Sequence, residues 1–327
     1  MAEELVSLRP GTRVSDRWTI IRKLGAGSFG AVYLCKNDQG EQAALKTEGM
    51  DAELPLLTME AHVMRSLDSV REGDGKHFCR CLDLGTDKQK DSKTGRITTF
   101  KYIVMSLVGR GLDGLLREAG GRFSPGTAIG ISIQMLNALR GLHGTGHIHR
   151  DIKPGNSTIG RAESNEQRLL YLIDFGLARK YQKEDGRHRR PREKTKFRGS
   201  PKYAPISAHT SREYNRKGDI ESWFYVLIEL YKGALPWAKA GKKREIGLVK
   251  VLRLSDQPEV RQKATAELLA GCPAEFGQIL THIDELRYED SPDYELIERI
   301  LRDYLTSNKI QEHPYDWEVG RRYSERD

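Results

Sequence analysis

The sequence predicts an α+β fold in two lobes: a small antiparallel sheet with one main helix, then a larger, mostly helical lobe. Three observations carry this. At 327 residues the chain is too long for one small core, and such a length often means two lobes or domains sharing one interface. The first third is made of β-rich runs separated by turn signals. After Gly109-Arg110-Gly111 the apolar spacing changes to that of helices.

The elements follow in order. Residues 18–24 are β-rich, glycines come next, and 31–36 is a second strand. Asn37-Asp38-Gln39-Gly40 is a hairpin turn signal, and 41–46 returns as a third strand. Leu56, Met59, Val63 and Leu67 give 54–67 helical spacing, with Pro55 near its start. Residues 77–85 and 97–105 read as two more strands, and polar 87–94 as an exposed turn between them. Ser124-Pro125 caps a helix carrying Ile129, Ile133, Leu136 and Leu139, and Gly144 and Gly146 stop it. Residues 219–232 are apolar nearly all round, through Trp223, Phe224, Tyr225, Leu227, Ile228 and Tyr231. Such a helix is buried on all sides, and Gly233 ends it. Two amphipathic helices follow at 273–286 and 291–305. The expected division is an N-terminal extension (1–17), a sheet lobe (18–108), a helical lobe (109–310) and a C-terminal tail (311–327).

Composition excludes several classes. With 38% hydrophobic and 31% charged residues the chain reads as a soluble globular protein, and no stretch approaches the ~18 apolar residues of a membrane span. Residues 1–15 have no apolar core, so they do not read as a signal peptide. Four cysteines are few for a disulfide scaffold and fit a reducing compartment. The expected location is the cytoplasm, with the nucleus as a second. Cys79-Arg80-Cys81 has the wrong spacing for a zinc knuckle and reads as two strand residues on one face. The net charge of +8 admits nucleic acid, an anionic membrane or an acidic protein substrate. The densest basic runs are Arg187-His188-Arg189-Arg190-Pro191-Arg192 and 239–244, which could equally be solvated faces. No stacking or groove-reading motif accompanies them, so no nucleic-acid partner is expected.

The chemistry concentrates in five short motifs. Gly25-Ala26-Gly27-Ser28-Phe29-Gly30 would let a backbone approach phosphates without a Cβ clash. Alone it is weak, since roughly 0.3 chance matches are expected in a chain this rich in glycine. Its place between two strands of a hairpin argues against a dinucleotide fold and for a lid over nucleotide phosphates. Ala43-Ala44-Leu45-Lys46 ends a strand in a lysine, which could simply be solvated. Glu60, in mid-helix, is its best partner for holding it toward the α- and β-phosphates, with Glu48 and Glu53 as nearby alternatives. His149-Arg150-Asp151-Ile152-Lys153-Pro154-Gly155-Asn156 is the strongest signal, expected by chance in roughly two chains per thousand. Asp151 would accept a hydroxyl proton, Lys153 would neutralise the moving phosphoryl group, Asn156 would hold a metal ion, and Arg150 would reach the segment beyond. Leu172-Ile173-Asp174-Phe175-Gly176 delivers a carboxylate at a turn, where it can bind Mg²⁺. Asn156-Ser157-Thr158 also matches a glycosylation sequon, a reading that the missing secretory signal disfavours.

In this order the motifs resemble the protein kinase family over about residues 18–305. The resemblance implies a bilobal kinase fold, Mg-ATP as cofactor and a protein with Ser or Thr hydroxyls as substrate. Within the family, four stretches resemble the casein kinase 1 group. They are His147-Ile148-His149-Arg150-Asp151-Ile152-Lys153-Pro154, Lys196-Phe197-Arg198-Gly199-Ser200-Pro201-Lys202-Tyr203-Ala204, Asp219-Ile220-Glu221-Ser222-Trp223-Phe224-Tyr225 and Leu235-Pro236-Trp237. Asp16-Arg17-Trp18 and Pro314-Tyr315-Asp316-Trp317-Glu318 look like the tau-tubulin kinase branch.

By the family pattern Leu24, Gly25, Gly27, Gly30, Val32, Ala44 and Lys46 would enclose ATP from above. Met105 would guard the back of the adenine pocket, Leu107 and Val108 would face adenine, and Thr158 would form its floor. Lys202 and Arg187 would attract substrate anions, implying acidic or already phosphorylated sequences. Two departures stand out. Ala204-Pro205-Ile206 lacks the glutamate of the common Ala-Pro-Glu signature. Ser157-Thr158 puts polar residues where large apolar ones are usual, which predicts weaker ATP binding and leaves a catalytically weak or inactive scaffold as the alternative function.

Overall fold

The structure is a computed structural model and describes residues 6–27, 30–70, 73–90, 95 and 97–319. The tip of the glycine loop, Ser28-Phe29, residues 91–94 of the expected turn, and residue 96 lie outside the described residues.

Six antiparallel strands form the first lobe: β1 (Arg13–Val14), β2 (Trp18–Gly27), β3 (Gly30–Lys36), β4 (Gln42–Gly49), β5 (Cys81–Lys90) and β6 (Ile97–Ser106), in the order β1-β2-β3-β4-β6-β5. Alternation along a strand sends neighbouring residues to opposite faces, and paired residues share a face. Val32 pairs with Lys46, and Ala44 pairs with Met105, so these four side chains face the same way, toward the second lobe. The opposite face carries its own core of Trp18, Ile20, Tyr33, Leu45, Phe100 and Val104. Val6, Leu8 and Val14 cover it, and the Tyr33 hydroxyl bonds Val6 O at 2.7 Å. Much of the expected extension is therefore the lid of this outer core, and Arg13–Val14 are an edge strand of the sheet.

The lobe's helix, α1 (Leu56–Leu67), buries Leu57, Glu60, Val63, Met64 and Leu67. Of the expected stripe, Val63 and Leu67 are buried, whereas Leu56 and Met59 give way to Leu57 and Glu60, a charged residue that hydrophobic counting skips. Two strand assignments also change. His77 ends a 3₁₀ turn (Gly73–His77) and Cys79 lies before β5, so Cys79 and Cys81 are not both strand residues. Asp87–Lys90 continue β5 by pairing with Phe100–Ile97, where a turn is expected.

The second lobe is built on α3 (Pro125–Gly144) and α5 (Arg216–Lys232), with α2 (Leu112–Glu118) and α4 (Ile206–His209) beside them. Ser124 caps α3 by accepting from Thr127 N, and Asn215 caps α5 by accepting from Gly218 N. Gly233 ends α5 in the left-handed conformation, at φ 89°. Trp223, Phe224, Tyr225, Leu227 and Ile228 are all fully buried, as the apolar sequence requires. α6 (Lys243–Val251), α7 (Pro258–Leu269), α8 (Glu275–Glu285) and α9 (Tyr294–Ser307) complete the lobe. Two small ribbons lie at its upper surface, β7 (His147–Ile148) with β10 (Arg179–Lys180), and β8 (Ser157–Ile159) with β9 (Leu170–Leu172).

The chain then returns to where this lobe began. Gly126 and Gly130 have no room for a Cβ, because Gln311 O would lie 2.0 Å and Glu312 Cγ 2.6 Å away. Asp316 accepts from Ser124 N at 2.7 Å, and Trp317 Nε1 donates to Gln167 O at 3.0 Å. Among the described residues no helix is long and apolar enough to cross a membrane.

Candidate active site

A cleft of about 1580 Å³ opens between the lobes. It is lined by Leu24, Gly25, Gly27, Gly30, Val32, Ala44, Lys46 and Glu60 from above, by Met105, Leu107 and Val108 at the joint, and by Asp151, Lys153, Asn156, Thr158 and Asp174 from below. One cavity therefore gathers these candidates from segments more than a hundred residues apart.

The three loop glycines differ in what they require. A Cβ on Gly30 would lie 2.1 Å from Thr47 O, so the close approach of β3 to β4 forbids one. A Cβ on Gly25 or Gly27 meets nothing within 4 Å. Packing among the described residues does not demand glycine there, and the open cradle fits a group that lies against the backbone. At the joint, Ser106 N bonds Arg80 O and its hydroxyl accepts from Arg80 N, each at 3.0 Å. Among the described residues none hydrogen-bonds the backbone of Leu107 or Val108, which leaves both peptide units to the cleft.

Lys46 Nζ sits 2.6 Å from Glu60 Oε2 and 3.0 Å from Asp174 Oδ1. Glu48 instead accepts from Leu57 N at 3.0 Å, taking one of the free N–H groups at the start of α1. Burial disfavours the Lys46 ammonium, but Glu60 and Asp174 more than offset it and raise its pKa above that of an ordinary lysine. Burial pushes the Glu60 carboxyl up, and Lys46 at 2.6 Å pulls the other way. Asp174 is lowered: burial opposes its charge, and Lys46 wins.

Below, the loop after β7 is shaped from inside the lobe. Asp219, fully buried on α5, accepts from His149 N at 2.7 Å, Arg150 N at 2.9 Å and His143 Nε2 at 2.9 Å. These bonds hold Arg150 at φ 70°, a left-handed conformation that needs such support. Arg150 Nε then donates to Leu177 O at 2.6 Å, reaching the segment beyond Gly176. Asp151 Oδ2 receives Lys153 Nζ at 2.6 Å and Asn156 Nδ2 at 3.1 Å, while Oδ1 accepts from Ser200 N at 2.7 Å. Lys153 Nζ also reaches Ser200 Oγ at 3.1 Å. Phe175 is buried between the rings of His149 and Phe78, at 5.4 and 6.0 Å, which fixes the turn that presents Asp174.

The donor set suits magnesium. Asn156 spends its amide nitrogen on Asp151, leaving Oδ1 for a cation, and the Asp174 side chain is 46% exposed to the cleft. Two hard oxygen donors are adequate for an ion that takes its remaining ligands from phosphate and water. Among the described residues no cluster of three or more His, Cys, Asp or Glu side chains offers a dedicated metal cage.

Thr158 is buried under the cleft, and its hydroxyl, like that of Ser157, has no partner among the described residues. Lys202 and Arg187 lie outside the cleft. Lys202 Nζ contacts Glu229, and Arg187 is paired with Asp185 two residues away. Sequence reasoning missed the roles of Asp219, His143 and Ser200. Asp219 stood in view within a motif, but its bonds cross about 70 residues, and only its full burial reveals the task.

A protein kinase domain model matches residues 18–312, and the chain belongs to that family. It is 36% identical over 318 residues to a probable serine/threonine-protein kinase of Dictyostelium discoideum, covering 96% of this chain and 59% of the relative. It is 31% identical over 320 residues to a Caenorhabditis elegans protein that bears the name of a serine/threonine-protein kinase, covering 95% of this chain and 85% of the relative.

Proposed function

We propose that this chain is a serine/threonine protein kinase that transfers the γ-phosphate of Mg-ATP to protein hydroxyls. The observation that carries it is the convergence of Asp151, Lys153, Asn156 and Asp174 with the Lys46–Glu60 pair in one cleft. Phosphoryl transfer needs positioning and charge neutralisation more than covalent help, and these residues supply both. Lys46, held by Glu60, would grip the α- and β-phosphates. Bound at Asp174 and Asn156, Mg²⁺ would offset the phosphate charge. Asp151 would orient the substrate hydroxyl and take its proton, with its own carboxylate aimed by Asn156 and Ser200 N. Lys153, 2.6 Å from Asp151, would neutralise the moving phosphoryl group. The names of the two relatives support the serine/threonine class.

Two finer readings go with this. The motifs from His147 to Trp237 support a place in the casein kinase 1 group, and the two terminal motifs support its tau-tubulin kinase branch. A preference for acidic or primed substrates rests on the basic run from Arg187 to Arg192. Lys202 and Arg187 would have to exchange the carboxylates of Glu229 and Asp185 for a substrate anion. The scaffold alternative finds no support in the site, where every ionisable group of the transfer machinery is in place.

The test is radiolabel transfer from γ-labelled ATP with Mg²⁺ to casein. Wild type is expected to transfer, while Asp151→Asn and Asp174→Asn each lose about 10²–10⁴-fold. Equal transfer by all three proteins would overturn the assignment of both carboxylates, and no transfer by wild type would overturn the activity.

A further inference from the structure

The segment from Ser200 to Ile206 leaves the catalytic centre and runs into α4. Its first residue is tied to the transfer machinery, through Ser200 N on Asp151 and Ser200 Oγ on Lys153. A substrate hydroxyl must come within reach of Asp151, so the residues flanking that hydroxyl lie along this segment. A buried ammonium holds the segment, helped by Trp237 Nε1 on Lys202 O at 2.8 Å and His209 Nε2 on Pro201 O at 3.2 Å. Lys250, on α6, is fully buried, and its Nζ donates to Pro201 O at 3.1 Å, Lys202 O at 3.0 Å and Ala204 O at 2.6 Å. An ammonium has three hydrogens, and all three are met by carbonyls of one short stretch. The faces of Tyr225 and Trp237 enclose it, with centroids at 4.5 and 4.6 Å. From the other end, Glu221 on α5 accepts from Ile206 N at 3.0 Å and from the Tyr225 hydroxyl at 2.5 Å.

No carboxylate contacts Lys250 among the described residues, so its charge is costly to bury. Burial pulls the ammonium down to about 7, with Glu221 opposing that fall and Arg253 adding to it. A methionine would fill similar space without this cost, so packing alone does not account for a lysine. Position 206 adds a reason. The common kinase pattern has a glutamate there, able to anchor the segment by its side chain, and this chain has Ile206. We infer that Lys250 is the positioning residue for segment 201–206, anchoring the substrate-facing stretch through its main-chain carbonyls. The inference rests on the kinase reading for its catalytic consequence and on geometry alone for its structural one.

Two measurements on Lys250→Met and Lys250→Arg separate these. The first is steady-state transfer to casein. Lys250→Met is expected to raise the casein KM about tenfold or more, the scale of charged hydrogen bonds, and to leave the ATP KM within about twofold. The second is amide hydrogen exchange. Tyr203 N and Ala204 N both bond Ser200 O, at 3.0 and 2.9 Å, and should exchange about tenfold faster in Lys250→Met, with α1 and α3 unchanged. Lys250→Arg keeps the charge and should retain most of that protection. Unchanged exchange at 203–204 in Lys250→Met would overturn the inference, as would uniform acceleration with casein and ATP KM rising together. If wild type transfers no phosphate, the kinase reading fails, and the exchange pattern alone decides whether Lys250 holds the segment.

Discussion

Single residues in this cleft separate what the fold needs from what a nucleotide needs. Gly30 is required by the chain itself, since Thr47 O occupies the place of a Cβ. Gly30→Ala should therefore separate β3 from β4 and cost about 1–3 kcal/mol of stability, measurable as a lower denaturation midpoint. Gly25→Ala and Gly27→Ala should leave that midpoint nearly unchanged and raise the ATP KM, because no described residue opposes a methyl group there. A loss of stability equal to that of Gly30→Ala would contradict the distinction. Thr158 poses the reverse case. Its hydroxyl is buried without a partner among the described residues, and under the cleft it offers less apolar contact than a leucine would. Thr158→Leu should lower the ATP KM by the equivalent of about 1–2 kcal/mol. An unchanged or higher KM would show that the polar floor does not weaken nucleotide binding.

Among the elements, α5 does most to shape the active site, although none of its residues was assigned a catalytic part. Asp219 in its first turn fixes two backbone N–H groups of the catalytic loop and the ring of His143. Removing the acceptor leaves three buried donors unmet. Asp219→Ala should cost about 3–5 kcal/mol and depress transfer to casein far more than it changes ATP binding. Equal losses in the two would point to collapse of the whole lobe. Here the limit of the sequence is visible. Helix α5 itself was legible, because an all-apolar run bounded by Gly233 has one reading. The register of α1 was not, because the pattern centres on Glu60, a charge that becomes intelligible only beside Lys46. The mid-helix place of Glu60 favours it over Glu48 as the partner of Lys46, and the structure pairs them, while Glu48 serves the helix end. The motif residues do line one cleft, as a shared chemistry would require. Supporting residues such as Asp219 and Lys250 were not legible, because their partners are main-chain atoms with no sequence signature.

At the scale of the whole molecule, burial of neutral histidines sets a pH limit. Burial holds His77 and His147 down to about 4, from an ordinary 6.5. The His77 Nδ1 meets Leu170 O at 2.8 Å, and its other nitrogen has no partner among the described residues. Between these values the unfolded chain binds protons that the folded chain refuses. The histidine contribution to stability should therefore fall as pH drops from about 6.5 to about 4, by up to about 3 kcal/mol for each histidine. Thermal midpoints measured from pH 7.5 to 4.5 should decline most steeply in that window, and His77→Gln should flatten part of the decline. A profile indifferent to His77 would remove it from the account.

The same scale shows what the two ends of the domain do. Neither segment flanking the motifs carries a catalytic signal, yet 6–14 covers the outer sheet core and 311–319 lies across the glycines of α3. Gln134 on α3 joins the second of these to the ribbon beneath the cleft: its amide donates to the Tyr315 hydroxyl and to Arg168 O, and its oxygen accepts from Leu170 N. Leu170 belongs to β9, whose partner strand carries Thr158. The returning strap, α3 and the β8–β9 ribbon are thus joined by hydrogen bonds through Gln134 and should open together. A protease that nicks the chain near residue 310 should loosen the base of the nucleotide pocket before it disturbs the sheet lobe. The strap is in this sense a latch, fastened at one side of the lobe and felt at the other.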